Sequence, residues 1–317
     1  MSETANKKIA LAVHGGAGTI DRRKMTPKKE SAYKEGLERA LLAGYEILQR
    51  DGSSLDAVEA AVRSLEDNPL QNAGRGSVFT SAGTNEMDAA IMEGKTLKAG
   101  AVANLQHVKN PISLARQVLE KTTHVMLVGS GAEAFAKEAG VELVEAKYFY
   151  TQERWEALQR IKEREAAAAA SGKKYILSDE DRHGTVGAVA LDAAGNLAAA
   201  TSTGGTTNKW PGRVGDSPII GAGTYANNAT CAVSCTGDGE DFMRAAVAHT
   251  ISLLMELRGM PLRDAAENAL EKARQLGGTG GLIAMDHEGN IVLPFNTSGM
   301  YRGQIDRSGK PIVEIYK

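Results

Sequence analysis

The sequence predicts a layered domain of the α+β class, on three observations. In the first half, apolar residues from Tyr33 to Leu48 recur at helical spacing, and a second apolar stripe follows Ser54, so amphipathic helices can cover a sheet. In the second half, the pattern Asp-x-x-Gly-Asn lies between apolar runs at residues 192–196 and again at 286–290, which is typical of β-hairpins in an antiparallel sheet. A layered domain can also absorb all 317 residues without splitting in two.

The first half begins with an apolar run at residues 9–13, which predicts a buried strand. The glycines of residues 14–18 predict a tight exit from this strand, since they lack the Lys-Ser/Thr ending of a phosphate-binding loop. Thr26 starts a helix that Gly52 ends, and Ser54 starts another. The pattern then predicts an ordered loop at residues 65–76 and a strand-turn-strand at 78–92. A helix from residue 110 onward and a strand at 124–128 follow.

The character of the chain changes at residues 151–182, which carry seven Lys or Arg and seven Asp or Glu but few apolar residues. We expect a helix up to Ala170 and a mobile segment at 171–181. Long loops without structure are uncommon inside compact domains, so this stretch is a linker or a segment that exists to be cut. Beyond it the pattern predicts a hairpin at residues 186–202 and a strand at 224–234. Two helices at 239–257 and 262–276 and a second hairpin at 282–295 follow.

Charge and composition exclude several classes of function. The net charge of -2 and the pI near 6.3 come from well-mixed charges, so we expect no nucleic-acid partner. The apolar run at 9–13 is too short for a membrane span or for the core of a signal peptide. We therefore expect a soluble, cytoplasmic protein without a membrane partner.

Cysteine and histidine usage predicts no disulfide and no catalytic metal. On a strand, Cys231 and Cys235 would lie about 13 Å apart on one face, at roughly 3.3 Å per residue, which is too far for a bond between them. We expect both to be buried small hydrophobic residues. The six histidines lack metal-ligand spacing, and they are His14, His107, His124, His183, His249 and His287.

One short motif offers a different class of function. Residues 129–134 match Gly-x-Gly-x-x-Ala between a predicted strand and a predicted helix, as in dinucleotide-binding modules. The match falls in the middle of the chain, and the acidic residue expected some 20 positions further on has no clear counterpart. An ordinary strand-to-helix turn is the preferred interpretation.

The strongest chemical signal is the junction His183-Gly184-Thr185-Val186-Gly187, where a polar segment meets an apolar strand. Cleavage between Gly184 and Thr185 would leave Thr185 with a hydroxyl nucleophile and a free α-amine. Such an amine titrates near about 8, so it can act as the general base for its own hydroxyl. The junction thus predicts a precursor that is cut to expose a threonine nucleophile.

Further polar, glycine-rich turns follow predicted strands in the second half. Thr236-Gly237 precedes a helix and offers a hydroxyl and a backbone N–H to an oxyanion. Arg213 and Asp216 lie three residues apart in a glycine-bounded loop. They can pair with each other, or they can bind the carboxylate and the ammonium of an α-amino acid.

Five segments of the chain resemble the plant-type L-asparaginases, also called isoaspartyl aminopeptidases, of the N-terminal nucleophile hydrolase superfamily. These segments are LAVHGGAG, LEDNPLQNAGRGSVFT, HGTVGAVALD, TSTGGTTNKWPGRVGDSPIIGAGTYANN and SCTGDGE. The resemblance implies a four-layer αββα sandwich that is made as an inactive precursor. It also implies cleavage before Thr185 into an α subunit, residues 1–184 with a mobile linker at 151–184, and a β subunit, residues 185–317. The mature assembly would be (αβ)₂.

The resemblance also implies a role for each matching residue of the reacting centre. Thr185 would be the nucleophile, with Thr203 beside it to orient or activate its hydroxyl. Thr236 and Gly237 would form the oxyanion hole. Hydrolysis of L-asparagine and of β-aspartyl dipeptides follows from this assignment, with no catalytic cofactor.

For the substrate, the resemblance implies that Arg213 holds the α-carboxylate and Asp216 the α-amine, assisted by the Gly239 carbonyl. Asp238 departs from relatives that have a small neutral residue at this position, and its carboxylate would alter substrate preference or slow maturation. The loop at 65–75 resembles a structural sodium site. The implied sodium ligands are the main-chain oxygens of Leu65, Glu66, Asn68, Gln71, Ala73 and Arg75.

Two other readings belong to the same fold. A glycosylasparaginase would use the same strategy on a sugar-linked asparagine, but such enzymes usually have a signal peptide and a set of disulfides. A non-catalytic scaffold is disfavoured because every residue that the chemistry needs is present. The sequence does not rank asparagine against isoaspartyl dipeptides, since both present the same α-amino acid end to Arg213 and Asp216.

Overall fold

The computed structural model describes residues 8–172, 184–306 and 308–317, which form a mixed α/β arrangement of strands and helices. Much of the predicted mobile segment, residues 173–183, lies outside the described residues. The strands are β1 (Ala10–Gly18), β2 (Met87–Glu93), β3 (Ala99–Leu105), β4 (Met126–Val128), β5 (Val186–Leu191), β6 (Leu197–Thr203), β7 (Thr224–Ala226), β8 (Cys231–Gly237), β9 (Gly280–Asp286), β10 (Ile291–Val292), β11 (Gly299–Ile305) and β12 (Ile312–Tyr316). The α-helices are α1 (Pro27–Gln49), α2 (Ser54–Glu66), α3 (Pro111–Lys121), α4 (Gly129–Ala139), α5 (Gln152–Ala170), α6 (Gly239–Ala245), α7 (Val247–Arg258) and α8 (Leu262–Gln275).

The strands form two sheets, with the orders β12-β11-β1-β5-β6-β2-β3-β4 and β10-β9-β8-β7. In the large sheet only β3 and β4 run parallel, and the small sheet is antiparallel throughout. Both predicted hairpins are confirmed, as β5–β6 and as β9–β10, but they belong to different sheets. The expectation of largely antiparallel pairing in the second half is confirmed.

Three clusters of buried apolar side chains hold these elements together. The first joins the large sheet to α1, α2 and α3 and includes Leu11, Leu37 and Val58. The second lies between the two sheets and includes Val189 and Ile283, and the third joins the small sheet to α6, α7 and α8. Burying each leucine- or valine-sized side chain contributes about 1.5–3 kcal/mol, so these clusters hold the strands and helices together.

The first two helices begin at hydrogen-bonded caps, the predicted Thr26 and, one residue before the predicted start at Ser54, Ser53. The Thr26 hydroxyl accepts a hydrogen bond from the Lys29 N–H, and the Ser53 hydroxyl accepts one from the Asp56 N–H, which satisfies donors that a helix start leaves open. At the other end of the first half, α4 begins at Gly129, directly after β4. This edge strand sits in a largely antiparallel sheet, unlike the doubly wound parallel sheet of a dinucleotide-binding module.

Three details of the sequence interpretation are wrong. The glycine stretch at 14–18 continues β1 instead of ending it, because its backbone pairs with β11 after a register shift between His14 and Gly16. The single strand expected at 224–234 is two strands, β7 and β8, joined by a turn in which the Thr230 N–H donates to the Asn227 carbonyl. The third detail is the helix expected at 239–257.

That helix is divided into α6 and α7 at Ala246, which has a left-handed backbone with φ of 47°. The N–H groups of Ala248 and His249 donate to the carbonyls of Ala222 and Gly221. Because these first N–H groups of α7 bond a neighbouring loop, α7 starts as a separate helix. The apolar period alone cannot reveal this tertiary contact.

The first part of the predicted linker is helical, as expected up to Ala170. Arg154, a buried residue of α5, donates from Nε to the Gly76 carbonyl at 2.9 Å and from Nη2 to the Leu70 carbonyl at 3.1 Å. These bonds fasten α5 to the loop at residues 65–76. No α-helix within the described ranges has both the length and the apolar character needed to cross a bilayer.

Candidate active site

Thr185 lies immediately before β5, a strand paired with β1 and β6 in the large sheet, and it is buried with 6% of its surface exposed. Gly184 packs against Gly16 of β1, and a Cβ added to either glycine would overlap the backbone of the other. The two glycines therefore permit a close backbone approach that no other residue allows. This contact fixes the Gly184–Thr185 peptide against the bulged end of β1.

Both polar atoms of Thr185 that matter for the predicted chemistry have defined partners. Its Oγ1 donates to Thr203 Oγ1 at 3.0 Å, and its N–H donates to Thr236 Oγ1 at 3.1 Å. Thr203 ends the neighbouring strand β6, whereas Thr236 comes from β8 of the other sheet. The structure thus brings three of the predicted catalytic threonines together in the space between the sheets.

The Thr236 hydroxyl is arranged as a hydrogen-bond donor. It accepts from the Thr185 N–H and, at 3.3 Å, from the Ala17 N–H, so these two bonds use both of its lone pairs. Its own proton remains available for a developing oxyanion. Gly237, the next residue, must be glycine because a Cβ there would overlap the Thr279 carbonyl and the Gly280 backbone.

A histidine that sequence reasoning left without a role lies beneath the nucleophile. His14 Nδ1 is 3.0 Å from the carbonyl oxygen of Thr185, and Nε2 is 2.9 Å from Ser234 Oγ. A carbonyl only accepts, so Nδ1 carries the proton and Nε2 of the neutral ring accepts from Ser234. Burial lowers the pKa of His14 to about 3, which keeps the ring neutral.

The hydrogen bonds continue from Ser234 in one direction. Because Ser234 donates to His14, it accepts from Thr201 Oγ1 at 2.7 Å, and Thr201 accepts from Thr224 Oγ1 at 2.6 Å. All of these side chains are buried. The chain of hydroxyls ends at the main chain of Thr185, so it orients the residue that carries the predicted nucleophile.

The predicted substrate-binding residues form a second cluster. A Cβ on Gly239 would lie 2.9 Å from Arg213 Nη2 and 3.1 Å from Asp216 Oδ1, so the three residues adjoin. The link to the first cluster is Ser217, whose Oγ is 3.5 Å from Thr185 Oγ1. Pattern reasoning missed Ser217, although its position directly after Asp216 was a usable signal.

Arg213 bonds a residue to which the sequence interpretation gave no role. Its Nε and Nη2 donate to the two carboxylate oxygens of Glu240, each at 2.9 Å. This bidentate geometry is the one by which arginine recognises a carboxylate. The guanidinium is thus already engaged in carboxylate binding, with a partner from the first turn of α6.

Asp216 is 3% exposed, and its Oδ2 has no hydrogen-bond partner among the described residues. Burial raises the pKa of Asp216 to about 6, although the charge of Arg213 opposes this shift. An unsatisfied buried carboxylate oxygen is costly. The arrangement therefore favours a cationic ligand that supplies the missing donor.

The end of α2 and the loop that follows it, residues 67–76, connect to the same strand ends. Asn72 donates from Nδ2 to the Gly205 carbonyl at 2.7 Å, and its own carbonyl accepts from the Gly204 N–H at 3.0 Å. Glu66 Oε1 accepts from Ser202 Oγ at 2.6 Å, and burial raises the pKa of Glu66 to about 8. The loop thereby supports the end of β6 next to Thr203.

A family model for asparaginase matches residues 7–315. The chain therefore belongs to the asparaginase family, a family of hydrolases. The family resemblance that the five short segments indicate is confirmed over nearly the whole chain.

Individual relatives agree with this membership. The isoaspartyl peptidase of Escherichia coli (strain K12) is 51% identical over 311 residues, which cover 98% of this chain and 97% of that protein. The putative isoaspartyl peptidase/L-asparaginase of Dictyostelium discoideum is 47% identical, with coverage of 95% and 94%. The plant-type L-asparaginase of Pyrococcus abyssi is 47% identical, with coverage of 92% and 94%.

Proposed function

We propose that this protein hydrolyses the side-chain amide of L-asparagine and the β-linked amide of isoaspartyl dipeptides, after cutting itself between Gly184 and Thr185. The observation that carries the proposal is the position of Thr185, with its hydroxyl on Thr203 and its nitrogen on Thr236. The names of relatives that are 47–51% identical support the choice of substrates.

The first reaction converts the precursor. Thr185 Oγ1 attacks the carbonyl carbon of Gly184, the C–N bond to Thr185 breaks, and the hydroxyl proton ends on the Thr185 nitrogen. Thr236 Oγ1 accepts from two N–H groups, so its own hydroxyl proton is free to donate to the oxyanion and stabilise it. Water then hydrolyses the resulting ester and leaves a carboxylate on Gly184 and a free amine on Thr185.

The second reaction repeats this chemistry on the substrate. The free amine of Thr185 takes the proton of its own hydroxyl, and Oγ1 attacks the side-chain carbonyl carbon. The proton passes to the leaving nitrogen as the amide bond breaks, which releases ammonia or an amino acid. Water resolves the β-aspartyl ester and regenerates Thr185.

The substrate's α-groups bind at the second cluster. The buried carboxylate of Asp216 accepts the ammonium, which supplies the donor that Oδ2 lacks. Arg213 binds the α-carboxylate, for which Glu240 must share or release the guanidinium that it now holds. Because Ser217 links the two clusters, an amino acid held there presents its side chain to Thr185.

The proposal extends to the architecture. We infer a four-layer αββα sandwich, which three separate apolar clusters support, one on each outer side of the two sheets and one between them. We also infer subunits of residues 1–184 and 185–317 that stay together as (αβ)₂. The antiparallel pairing of β1 with β5 and β11 would hold the two products of cleavage in one sheet.

A structural sodium ion completes the proposal, and the loop geometry is compatible with it. A Cβ on Gly74 would overlap the Glu66 carbonyl, and one on Gly76 would overlap the Gln71 carbonyl, so these glycines leave room for inward carbonyl oxygens. Oxygen donors suit a hard cation. The ion would be held by the main-chain oxygens of residues 65–75 and would stabilise the loop without entering the reaction.

Intact mass and amino-terminal sequencing under denaturing conditions test the proposal. We expect two fragments, the smaller beginning with Thr185-Val186-Gly187, together with release of ammonia from asparagine. The matched control is Thr185→Ala, which should remain one inactive chain. A cut and active Thr185→Ala protein would refute the assignment of the nucleophile.

A further inference from the structure

A cavity of about 200 Å³ lies directly beside the proposed reacting centre. It shares Gly184 and Gly237 with that centre, but none of Arg213, Asp216 and Gly239 lines it. The cavity is therefore distinct from the cluster that holds the α-groups of the substrate. Gly184 lies between the cavity and Thr185, so release of Gly184 after cleavage connects the two.

The walls of this cavity are polar and carry one charge among the described residues. Hydroxyl and amide side chains line it, and Asp238 is the single ionisable side chain in this lining. The uncharged lining residues with polar side chains are Thr19, Thr206, Thr279, Asn296, Thr297 and Ser298. Among the described residues, Asp238 is therefore the charged side chain that a ligand in the cavity contacts directly.

The Asp238 carboxylate is fixed in place by its neighbour. Oδ2 accepts from the Thr279 N–H at 2.8 Å and from Thr279 Oγ1 at 2.9 Å. In addition, the Asp238 N–H donates to the Thr279 carbonyl at 2.9 Å. These bonds attach the carboxylate to the turn before β9 and hold its charge at the cavity wall.

The proposed substrates differ in what would fill this space. Both place their α-groups at Arg213 and Asp216 and their scissile carbonyl at Thr185. Asparagine releases ammonia, which needs no further room, whereas an isoaspartyl dipeptide releases a whole amino acid. The cavity is smaller than the roughly 300–1,000 Å³ of sites for drug-sized ligands, as suits a single amino acid.

We propose that this cavity receives the leaving amino acid of isoaspartyl dipeptides, and that Asp238 makes it favour basic over acidic leaving residues. The inference rests on the proposed function and adds a substrate preference to it. Asp238 acts through its charge, which attracts a lysine side chain and repels a glutamate side chain. Since a partly solvated ion pair changes affinity by about two- to fivefold, attraction and repulsion together give a preference of about tenfold.

The test compares kcat/KM for β-aspartyl-lysine and β-aspartyl-glutamate, with asparagine assayed alongside. We expect the mature wild-type protein to favour the lysine dipeptide by about tenfold at low salt, and the ratio to shrink at high salt because the charges are screened. Asp238→Asn keeps an oxygen that can accept from Thr279 but loses the charge. We expect it to bring the ratio close to one, and the ratio cancels any difference in maturation between the proteins.

A matched control removes a negative charge elsewhere. Glu256 is exposed on α7 and does not line the cavity, so Glu256→Gln should keep the wild-type ratio. The preference would be overturned if Asp238→Asn kept the wild-type ratio of kcat/KM for the lysine dipeptide to that for the glutamate dipeptide. It would also be overturned if this ratio were near one in the wild-type protein. Hydrolysis of asparagine without hydrolysis of either dipeptide would overturn the role of the cavity as a leaving-group site, and the protein would then be an asparaginase without isoaspartyl peptidase activity. Hydrolysis of none of the three substrates would overturn the proposed function itself.

Discussion

The hydroxyl of Thr185 donates to the hydroxyl of Thr203 across 3.0 Å, although 18 residues separate them in the chain. The pairing of β5 with β6 brings them together, since Val186 faces Ser202 in that ladder. Thr203 Oγ1 also accepts from the Gly205 N–H at 3.0 Å, which limits its rotation. The direction of the Thr185 hydroxyl is therefore set by backbone geometry.

Thr203→Val should slow self-cleavage. The substitution removes the acceptor of the Thr185 proton at nearly constant volume. A lost hydrogen bond in a buried site costs about 1–3 kcal/mol, equivalent to about 5–150-fold in rate. The measurement is the rate at which the two fragments appear by intact mass. Thr203→Ser keeps the hydroxyl and should cut at close to the wild-type rate; equal rates for the valine and wild-type proteins would contradict the role of Thr203.

The positions of these residues explain how far the sequence could predict the site. The local sequence indicated Thr185 and Thr236, each next to a glycine at a predicted strand end, and the family resemblance added Thr203. The structure places Thr203 and Thr236 within hydrogen-bond distance of Thr185. His14 was missed because its partners, Thr185 and Ser234, are 171 and 220 residues away. A lone histidine beside glycines has no local pattern that reveals such contacts.

The same limit applies to the substrate cluster and to the fold. Glu240 was missed as the partner of Arg213 because 27 residues separate them, whereas Asp216 was an obvious neighbour in sequence. Amphipathic helices and hairpins were predictable from their periods, since each period is local. The break between α6 and α7 and the assignment of hairpins to two sheets depend on tertiary contacts, which periodicity does not encode.

Thr236→Val should reduce turnover because it removes the proposed oxyanion donor. Loss of one such donor typically costs about 10²–10³ in kcat, and KM should change little because the α-groups still bind Arg213 and Asp216. Self-cleavage should slow by a similar factor, so kcat is measured on material that has finished cutting. Thr236→Ser is the matched control and should stay close to wild type. A valine variant with normal kcat and normal cleavage would exclude this hydroxyl from the oxyanion hole.

Activity on asparagine should fall as the pH drops through about 6. Burial raises the pKa of Asp216 to about 6, so below this pH the residue takes up a proton and loses the charge that receives the substrate ammonium. One such protonation lowers kcat/KM by about tenfold per pH unit. The free amine of Thr185 adds a second ionisation near about 8 in model peptides.

A substrate without the ammonium separates these two ionisations. Succinamate has the amide and the carboxylate of asparagine but lacks the α-amine, so its hydrolysis does not need an ionised Asp216. Its pH profile should keep the limb of the Thr185 amine and lack the limb near 6. Identical profiles for the two substrates would exclude Asp216 as the ammonium site.

His14 should make the protein less stable in mild acid. Its pKa is lowered by burial to about 3 in the folded state, against about 6.5 in an unfolded chain. Between these values the unfolded state binds one more proton than the folded state, so the stability that depends on neutral His14 is lost as pH falls below 6.5. The loss from this residue is about 1.4 kcal/mol per pH unit.

Urea unfolding of His14→Gln at several pH values tests this linkage, in a Thr185→Ala background that keeps the chain in one piece. At pH 7.5 the variant should be less stable, by about 1–3 kcal/mol for each buried partner left without its bond. Because glutamine does not titrate, the stability difference should narrow as the pH falls from 6.5 to 5. His124→Gln, which alters an exposed histidine, controls for the loss of a histidine as such. If the stability difference between His14→Gln and its parent stays constant over this range, the His14 ring is protonated in the folded state. A protonated ring would donate to Ser234, so the hydrogen bonds from Thr224 through Thr201 and Ser234 to His14 would have to run in the opposite direction.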